Sequence, residues 1–290
     1  MQKLPPSLLQ STIGFIGAGN MASAIISGLI SSGFPQQQIH ISNPSQAKLH
    51  RLQDLYPNIM TTNDNAKVAE SCHYLLLSVK PQKIHQACTS FSHLNLSDSC
   101  IISVAAGITT SMLEQLVSSH SIIRSMPNTP ASIGLGATGL YSSSPLCIQQ
   151  KSDVEAIFNA IGTSVWVSQE EHMDLVTAIS GSGPAHYFFY LEAVCQAAIK
   201  LGMSEDTARL LASQTALGAA SMVQHFNELP ISQLRQQVTS PGGTTAAALD
   251  VLQLEQLQHT VEKAINASVK RGHELARLTE AEILANNPHQ

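Results

Sequence analysis

Residues 12–22, TIGFIGAGNMA, decide the fold of this chain. Thr12 to Ile16 form a short apolar run of strand type. A GxGxxA pattern follows at once, at Gly17, Gly19 and Ala22. A stretch with helical spacing, Asn20 to Ser32, then stops at Gly33. The first glycine allows a tight turn, and the second lets a pyrophosphate approach the backbone. The small third residue lets helix and strand pack closely. The helix N-terminus adds amide donors and a positive dipole end. Such a glycine turn also occurs as a purely structural feature. Its place between an apolar strand and a helix favours a dinucleotide site.

The alternation continues outward. Ile39 to Ser42 reads as a second strand and Ser45 to Leu55 as a helix. Tyr74 to Val79 (YLLLSV), Cys100 to Ala105 (CIISVA) and Ser121 to Arg124 read as further strands, the first two apolar on both faces. Strands alternating with helices predict a mostly parallel sheet with right-handed crossovers. From about Asp174 the chain becomes rich in Ala, Leu, Met and Gln. Ala185–Leu201, Asp206–Phe226 and Gln256–Leu278 lack internal proline, and apolar residues recur at helical spacing, as at Leu210, Leu211, Ala212, Ala216 and Leu217. Gly202 is a helix stop and Ser204 an N-cap for the next helix. The expected fold class is α/β: a Rossmann-type doubly wound sheet in residues 1–168, followed by an all-α domain in residues 169–290.

Composition narrows the functional classes. The chain has 290 residues, of which 43% are hydrophobic and 12% charged, with a net charge of −5. That length suggests about two domains. The negative balance offers no basic face for nucleic acid. The charged share is about half the usual one, and one explanation is a surface covered by another subunit. Cys72, Cys88, Cys100, Cys147 and Cys195 are odd in number and show no CxxC spacing. Neither a zinc ribbon nor a disulfide framework is signalled, and the thiols read as buried and reduced. The histidines show no HExxH or HxxxH spacing, so no metal is expected. There is no apolar signal core and no run of roughly 18 apolar residues. The chain therefore reads as soluble and cytoplasmic.

Several loops are candidates for chemistry. An acidic residue about 20 positions past the glycine turn would hold the ribose 2′-hydroxyl of NAD. The chain has Ser42-Asn43-Pro44-Ser45 there, with Lys48 and Arg51 beyond. Neutral donors and cations suit a 2′-phosphate, so NADPH is preferred, with NADH as the alternative. Ser78-Val79-Lys80-Pro81 and Ala105-Ala106-Gly107 follow two strands, where ligands of open α/β sheets sit. Lys80 is a candidate acid or, more simply, a brace for the cofactor or its loop. Met126-Pro127-Asn128-Thr129-Pro130 is a rigid turn, either beside the substrate or a plain linker. Ser180-Gly181-Ser182-Gly183-Pro184 and Ser240-Pro241-Gly242-Gly243-Thr244-Thr245 each precede a helical stretch. Both are candidates to hold a carboxylate or to serve as interhelical turns with caps.

In order and spacing, Gly17–Ala22, Val79–Pro81, Ala105–Gly107, Met126–Pro130, Ser180–Ala185 and Ser240–Thr245 make the chain resemble pyrroline-5-carboxylate reductase, from about Thr12 to Leu275. MPNTP and SPGGTT are specific to that family; the first glycine motif is not. The resemblance implies an oxidoreductase that uses NAD(P)H to reduce the cyclic imine Δ1-pyrroline-5-carboxylate to L-proline, the last step of proline biosynthesis. It implies cofactor contacts at Ile16, Gly17, Ala18, Gly19, Asn20 and Met21 along the pyrophosphate, and at Asn43 for the adenosine ribose or its phosphate. It further implies contacts at Asn65, and at Ser78, Val79, Lys80, Pro81, Val104, Ala105 and Ala106 beside the nicotinamide.

The resemblance also implies that Ser240, Gly243, Thr244 and Thr245 hold the substrate. Thr245 is the implied catalytic hydroxyl, facing the ring nitrogen. Glu170 aligns near the substrate in some members; read alone, it is a surface carboxylate at a helix start. The implied assembly is a homodimer interlocked through the α-domain, which can build decamers. Three features depart from the family. His186 replaces an aromatic residue, Gln237 replaces an asparagine, and the Gly-Phe turn is absent near Leu254–Leu257. A 3-hydroxy-acid dehydrogenase with a helical domain is a rival reading, but Lys200 lacks that family's asparagine four residues on. A catalytically inactive dinucleotide-binding regulator is another, but Thr245 and the SPGG loop are both retained.

Overall fold

The computed structural model describes residues 3–286. Its strands are β1 (Ile13–Ile16), β2 (Ile39–Ser42), β3 (Met60–Thr62), β4 (Tyr74–Leu77), β5 (Cys100–Ser103), β6 (Ser121–Met126), β7 (Gly136–Ser142) and β8 (Gly162–Trp166). They form one sheet in the order β3-β2-β1-β4-β5-β6-β7-β8. The first six run parallel, β7 is antiparallel to β6, and β8 is parallel to β7. The winding reverses between β1 and β4, which places a ligand crevice at their carboxyl ends.

All residues of β1, β4 and β5 are buried, as a sheet covered on both faces requires. One face packs Ile13 and Phe15 with Ile25, Leu29, Leu49 and Phe158; the other packs Ile16, Leu75 and Leu77 with Phe91, Ile101 and Leu113. A buried polar knot sits beside the first core. Asp153 accepts from Ser7 Oγ and from the Tyr74 hydroxyl, each at 2.7 Å. This ties the amino-terminal helix Pro6–Leu9 and β4 to the helix Ile148–Asn159.

Three strands escape the sequence reading. β3 has only three residues, and β7 (GATGLYS) and β8 (GTSVW) carry Gly, Ser and Thr that dilute the apolar signal. The YLLLSV and CIISVA strands also stop two residues early, at Leu77 and Ser103. Ser180–Pro184 is a correction as well. It is not an open loop between helices: a π-helical turn, Thr177–Gly181, continues the helix His172–Val176, and only Ser182 separates it from the helix Gly183–Lys200. Burial pushes the thiols of Cys72, Cys88 and Cys100 up to about 11, 12 and 12, which makes them inert. Cys147 is exposed instead, with its sulfur capping the helix Ile148–Asn159, and Cys195 is half-buried.

Contacts divide the chain into two compact units, residues 3–182 with 268–286, and residues 183–267. The sequence division at 168/169 differs because residues 169–182 are anchored to the sheet. Arg124 of β6 pairs with Glu170 and Asp174 at 3.3 Å each, and Met173 and Ala178 are fully buried. His273 Nε2 meets Asp174 Oδ2 at 3.0 Å, which brings in the end of the helix Leu257–Asn286.

The second unit comprises the helices Gly183–Lys200, Glu205–His225, Ile231–Gln237 and Thr244–Leu254 with the start of Leu257–Asn286. Its punctuation follows the sequence: Gly202 has φ 97°, and Ser204 Oγ accepts from Thr207 N. Its core is nearly absent. Ala208 and Leu234 are its buried apolar side chains, while Tyr187, Phe188, Phe189 and Tyr190 are each more than half exposed. Ordering helices costs about 1–2 kcal/mol per residue in backbone entropy alone. So little burial leaves that cost uncovered unless another chain supplies the missing core. Among the described residues, no helix is long and apolar enough to cross a membrane, and no cluster of ligating side chains could hold a metal.

The thermal midpoint should therefore rise with protein concentration. A roughly 100-fold rise adds about 2.7 kcal/mol to an associated native state. A midpoint independent of concentration would mean that residues 183–267 are stable without a partner.

Candidate active site

The chain leaves β1 through Gly17, whose φ of 106° is a conformation that glycine adopts without strain. Gly17 N–H donates to Ser42 O at 2.8 Å, and a Cβ on Gly17 would lie 2.6 Å from Ser78 O. The ends of β2 and β4 therefore close around this turn. Gly19 differs. A Cβ there would meet only Ser78 O, at 3.8 Å, so the absent side chain keeps an approach clear rather than avoiding the protein. Gly19 is also the N-cap of the helix Asn20–Ser31, and no side chain caps that helix. Ala22 is fully buried under it. Open amides, a dipole end and a cleared approach fit the diphosphate of a dinucleotide.

Asn43 shapes the adjoining loop. Its Oδ1 accepts from Ala18 N and its Nδ2 donates to Ser45 O, both at 3.2 Å. Pro44, Lys48 and Arg51 are exposed beside it. Asn65 commits its side chain to the protein: Oδ1 accepts from Ser42 Oγ at 2.7 Å, and Nδ2 donates to Ser90 Oγ at 3.1 Å. It braces the end of β2 against the segment that follows the helix Ile84–Thr89. Ser78 Oγ is buried with no partner among the described residues. Val79 packs on the second core, Lys80 is exposed, and Pro81 opens a 3-10 turn. Past β5, Val104 is half-buried, Ala105 is buried with its N–H on Ser103 Oγ at 3.2 Å, and Ala106 is exposed. Residues Ile16–Met21, Asn43, Asn65, Ser78–Pro81 and Val104–Ala106 thus gather along one edge of the sheet, across β2, β1, β4 and β5.

Asn128 gives the MPNTP turn its function in the fold. Its Oδ1 accepts from Ala137 N at 2.9 Å, and its Nδ2 donates to Ser180 O at 3.0 Å. The turn is a bracket under the π-helical segment, not a plain linker. Sequence reading passes over Asn128 because nothing local announces that both ends of its amide are taken. Glu170 has both carboxylate oxygens engaged. Thr110 N and Thr110 Oγ1 donate to it at 2.8 Å each, and Arg124 Nη1 at 3.3 Å.

In the second unit, Gly242 has φ 69° and Gly243 N–H donates to Ser240 O at 3.0 Å. Gly243 is the N-cap of the helix Thr244–Leu254, with no side-chain cap. Ser240, Thr244 and Thr245 are exposed around this open helix start. Free amides and hydroxyls at a helix N-terminus suit a carboxylate. His186 and Gln237 are exposed. Lys200 lies in the last turn of its helix, where the dipole favours a cation.

A family model for pyrroline-5-carboxylate reductase dimerisation matches residues 170–275, and one for NADP oxidoreductase, coenzyme F420-dependent, matches residues 12–107. The chain is 44% identical to pyrroline-5-carboxylate reductase of Pasteurella multocida, over 92% of this chain and 98% of that protein. The enzyme of the same name from Haemophilus influenzae is 42% identical over the same shares. The structure of a pyrroline-5-carboxylate reductase from Coxiella burnetii matches with a TM-score of 0.87 at 42% identity, covering 91% of this chain and 98% of that one. The pyrroline carboxylate reductase structure from Plasmodium falciparum, with NADP bound, matches at 0.79 and 28% identity, covering 92% and 98%.

The two glycines should separate under substitution. Gly17→Ala should lower stability by about 1–3 kcal/mol, through strain and the clash with Ser78 O. Gly19→Ala should leave the melting midpoint close to that of the parent while weakening dinucleotide binding. Thermal melts and a nucleotide titration read both. Equal effects of the two substitutions would refute this division of roles.

Proposed function

The chain belongs to the pyrroline-5-carboxylate reductase family, and on that premise we propose that it reduces 1-pyrroline-5-carboxylate to L-proline with NADPH, closing proline biosynthesis. The observation that carries the reading is the uncapped, threonine-bearing helix start at Gly243–Thr245, in a chain that also holds a dinucleotide cradle at Gly17–Met21. The functional division we propose is a cofactor domain in 1–168 and a dimerisation and substrate domain in 169–290.

The bound nucleotide supplies a hydride, and the protein aligns donor and acceptor carbons. Ile16–Met21 line the diphosphate; the amides of Gly17 and Ala18 are taken by Ser42 O and Asn43 Oδ1, so the uncapped helix start at Gly19–Met21 donates to it. Asn43 orders the loop under the adenosine ribose, and Asn65 braces that loop from behind. Ser42–Ser45 hold no carboxylate, and Lys48 and Arg51 stand exposed nearby, which favours a 2′-phosphate. Ser78–Pro81 and Val104–Ala106 flank the nicotinamide, with Lys80 as a brace.

Ser240, Gly243 and Thr244 clamp the substrate carboxylate. The Thr245 hydroxyl hydrogen-bonds the ring nitrogen; protonation of that nitrogen makes the imine carbon the better hydride acceptor, and water delivers or retains the proton. The product amine is itself basic, so no buried His or Lys acid is required. Glu170 enters as a support, since its oxygens are engaged by Thr110 and Arg124. The expected working unit is a cytoplasmic homodimer formed through the helical domain, with decamers as its higher assembly.

One assay separates this reading from its rivals. NADPH absorbance should decay on adding pyrroline-5-carboxylate, whereas 3-hydroxyisobutyrate with NADP should give no signal. A signal only from the second pair would make the chain a 3-hydroxy-acid dehydrogenase, and silence in both a regulator. The kcat/KM should be higher with NADPH than with NADH; the reverse order removes the cofactor assignment. Thr245→Ala should lower kcat/KM by the equivalent of about 1–3 kcal/mol, one lost hydrogen bond. An unchanged value would remove Thr245 from the mechanism.

A further inference from the structure

The only charge cluster buried against the sheet among the described salt bridges lies outside the residues placed against the substrate. Arg124, on β6, registers beside Ser103, the last residue of β5. Its side chain is 6% exposed and pairs with Glu170 (20%) and Asp174 (13%). Asp174 also meets His273 of the terminal helix at 3.0 Å. Two carboxylates thus share one arginine. Buried ion pairs are weak evidence for stability, because desolvation offsets much of their attraction. A cluster that over-supplies acid is better explained by the geometry it holds.

That geometry converges on one turn. The two Thr110 bonds to Glu170, at the backbone N and at Oγ1, are 2.8 Å each. They pin the residue three positions beyond Gly107. Gly107 has φ 73°, and a Cβ on it would lie 3.5 Å from Ala276 of the terminal helix. Ser125 Oγ, next to Arg124, donates to Ser103 O at 2.8 Å where the turn begins. Residues 104–107 are therefore held at their start by β6, at their end by Glu170 and on one side by the terminal helix. The turn lies at the carboxyl end of β5, two strands from the Gly17 cradle, on the side opposite β2. If the adenosine lies toward β2, the nicotinamide lies toward β4 and β5.

We propose that Glu170 is a positioning residue, which sets the Val104–Gly107 turn against the nicotinamide through Thr110 and Arg124 and does not touch the substrate. The proposal rests on the cofactor orientation given under the proposed function. Glu170→Gln keeps the shape but removes the charge that pairs with Arg124 and makes the bonds to Thr110 neutral ones. Thr110→Val removes a single hydrogen bond and is the milder variant should Glu170→Gln fail to fold.

The test compares binding of NADPH with binding of 2′,5′-ADP, which lacks the nicotinamide, on the full-length protein. Glu170→Gln should weaken NADPH about 10-fold and Thr110→Val about 3-fold, each with 2′,5′-ADP binding within about twofold of the parent. In turnover, kcat should fall while KM for the imine stays within about twofold. Equal weakening of both nucleotides, unchanged NADPH binding, or a raised imine KM at constant kcat would each overturn the proposal. The binding comparison needs no turnover, so it still reads if imine reduction itself fails.

Discussion

Everything at the cofactor edge depends on how closely the backbone closes at Gly17. Its N–H reaches Ser42 O on one side, and its missing Cβ leaves room for Ser78 O on the other. Three parallel strands are thereby drawn together at one point, with β1 in the middle. The helix that follows starts in the open, uncapped, with its first amides facing the crevice. Any side chain at Gly17 would push β4 away and turn that helix start out of line. The second glycine has no such duty toward the protein, which is why its absent side chain is best explained by a ligand.

Away from that pinch, polar side chains fix the loops. Asn43, Asn65 and Asn128 each have both ends of the amide engaged by neighbours distant in sequence or by the adjacent loop. Arg124 does the same for charge, gathering two carboxylates that precede the helical half of the chain. Buried polar groups must be satisfied, so each of these residues removes alternative loop conformations. The crevice is consequently shaped by groups that need not contact a ligand.

The exposed apolar side chains of the second unit also find their place. Residues 183–267 expose Tyr187, Phe188, Phe189, Tyr190, Leu210 and Leu211 and bury almost nothing of their own. The family model matched over 170–275 is a dimerisation model. A surface of this kind resembles half of a core awaiting its other half.

The sequence by itself determined what depends on local chemistry. The glycine turn, the buried strands β1, β4 and β5, the helix stop at Gly202 and the cap at Ser204 are all set by backbone sterics and short-range periodicity, and all were legible. So were the motifs MPNTP and SPGGTT that mark the family. The tertiary structure alone decided what depends on neighbours far along the chain. It added β7 and β8, whose small polar residues carry little apolar signal until they pair at the sheet edge. It drew Ser180 and Gly181 into a π-helical turn, where Asn128 bonds Ser180 O and Gly181 lies close to Met126. It also paired Glu170 with Thr110 and Arg124, which lie 60 and 46 residues away in sequence. A carboxylate shows its charge in a sequence but not its partner, and it is the partner that determines its role.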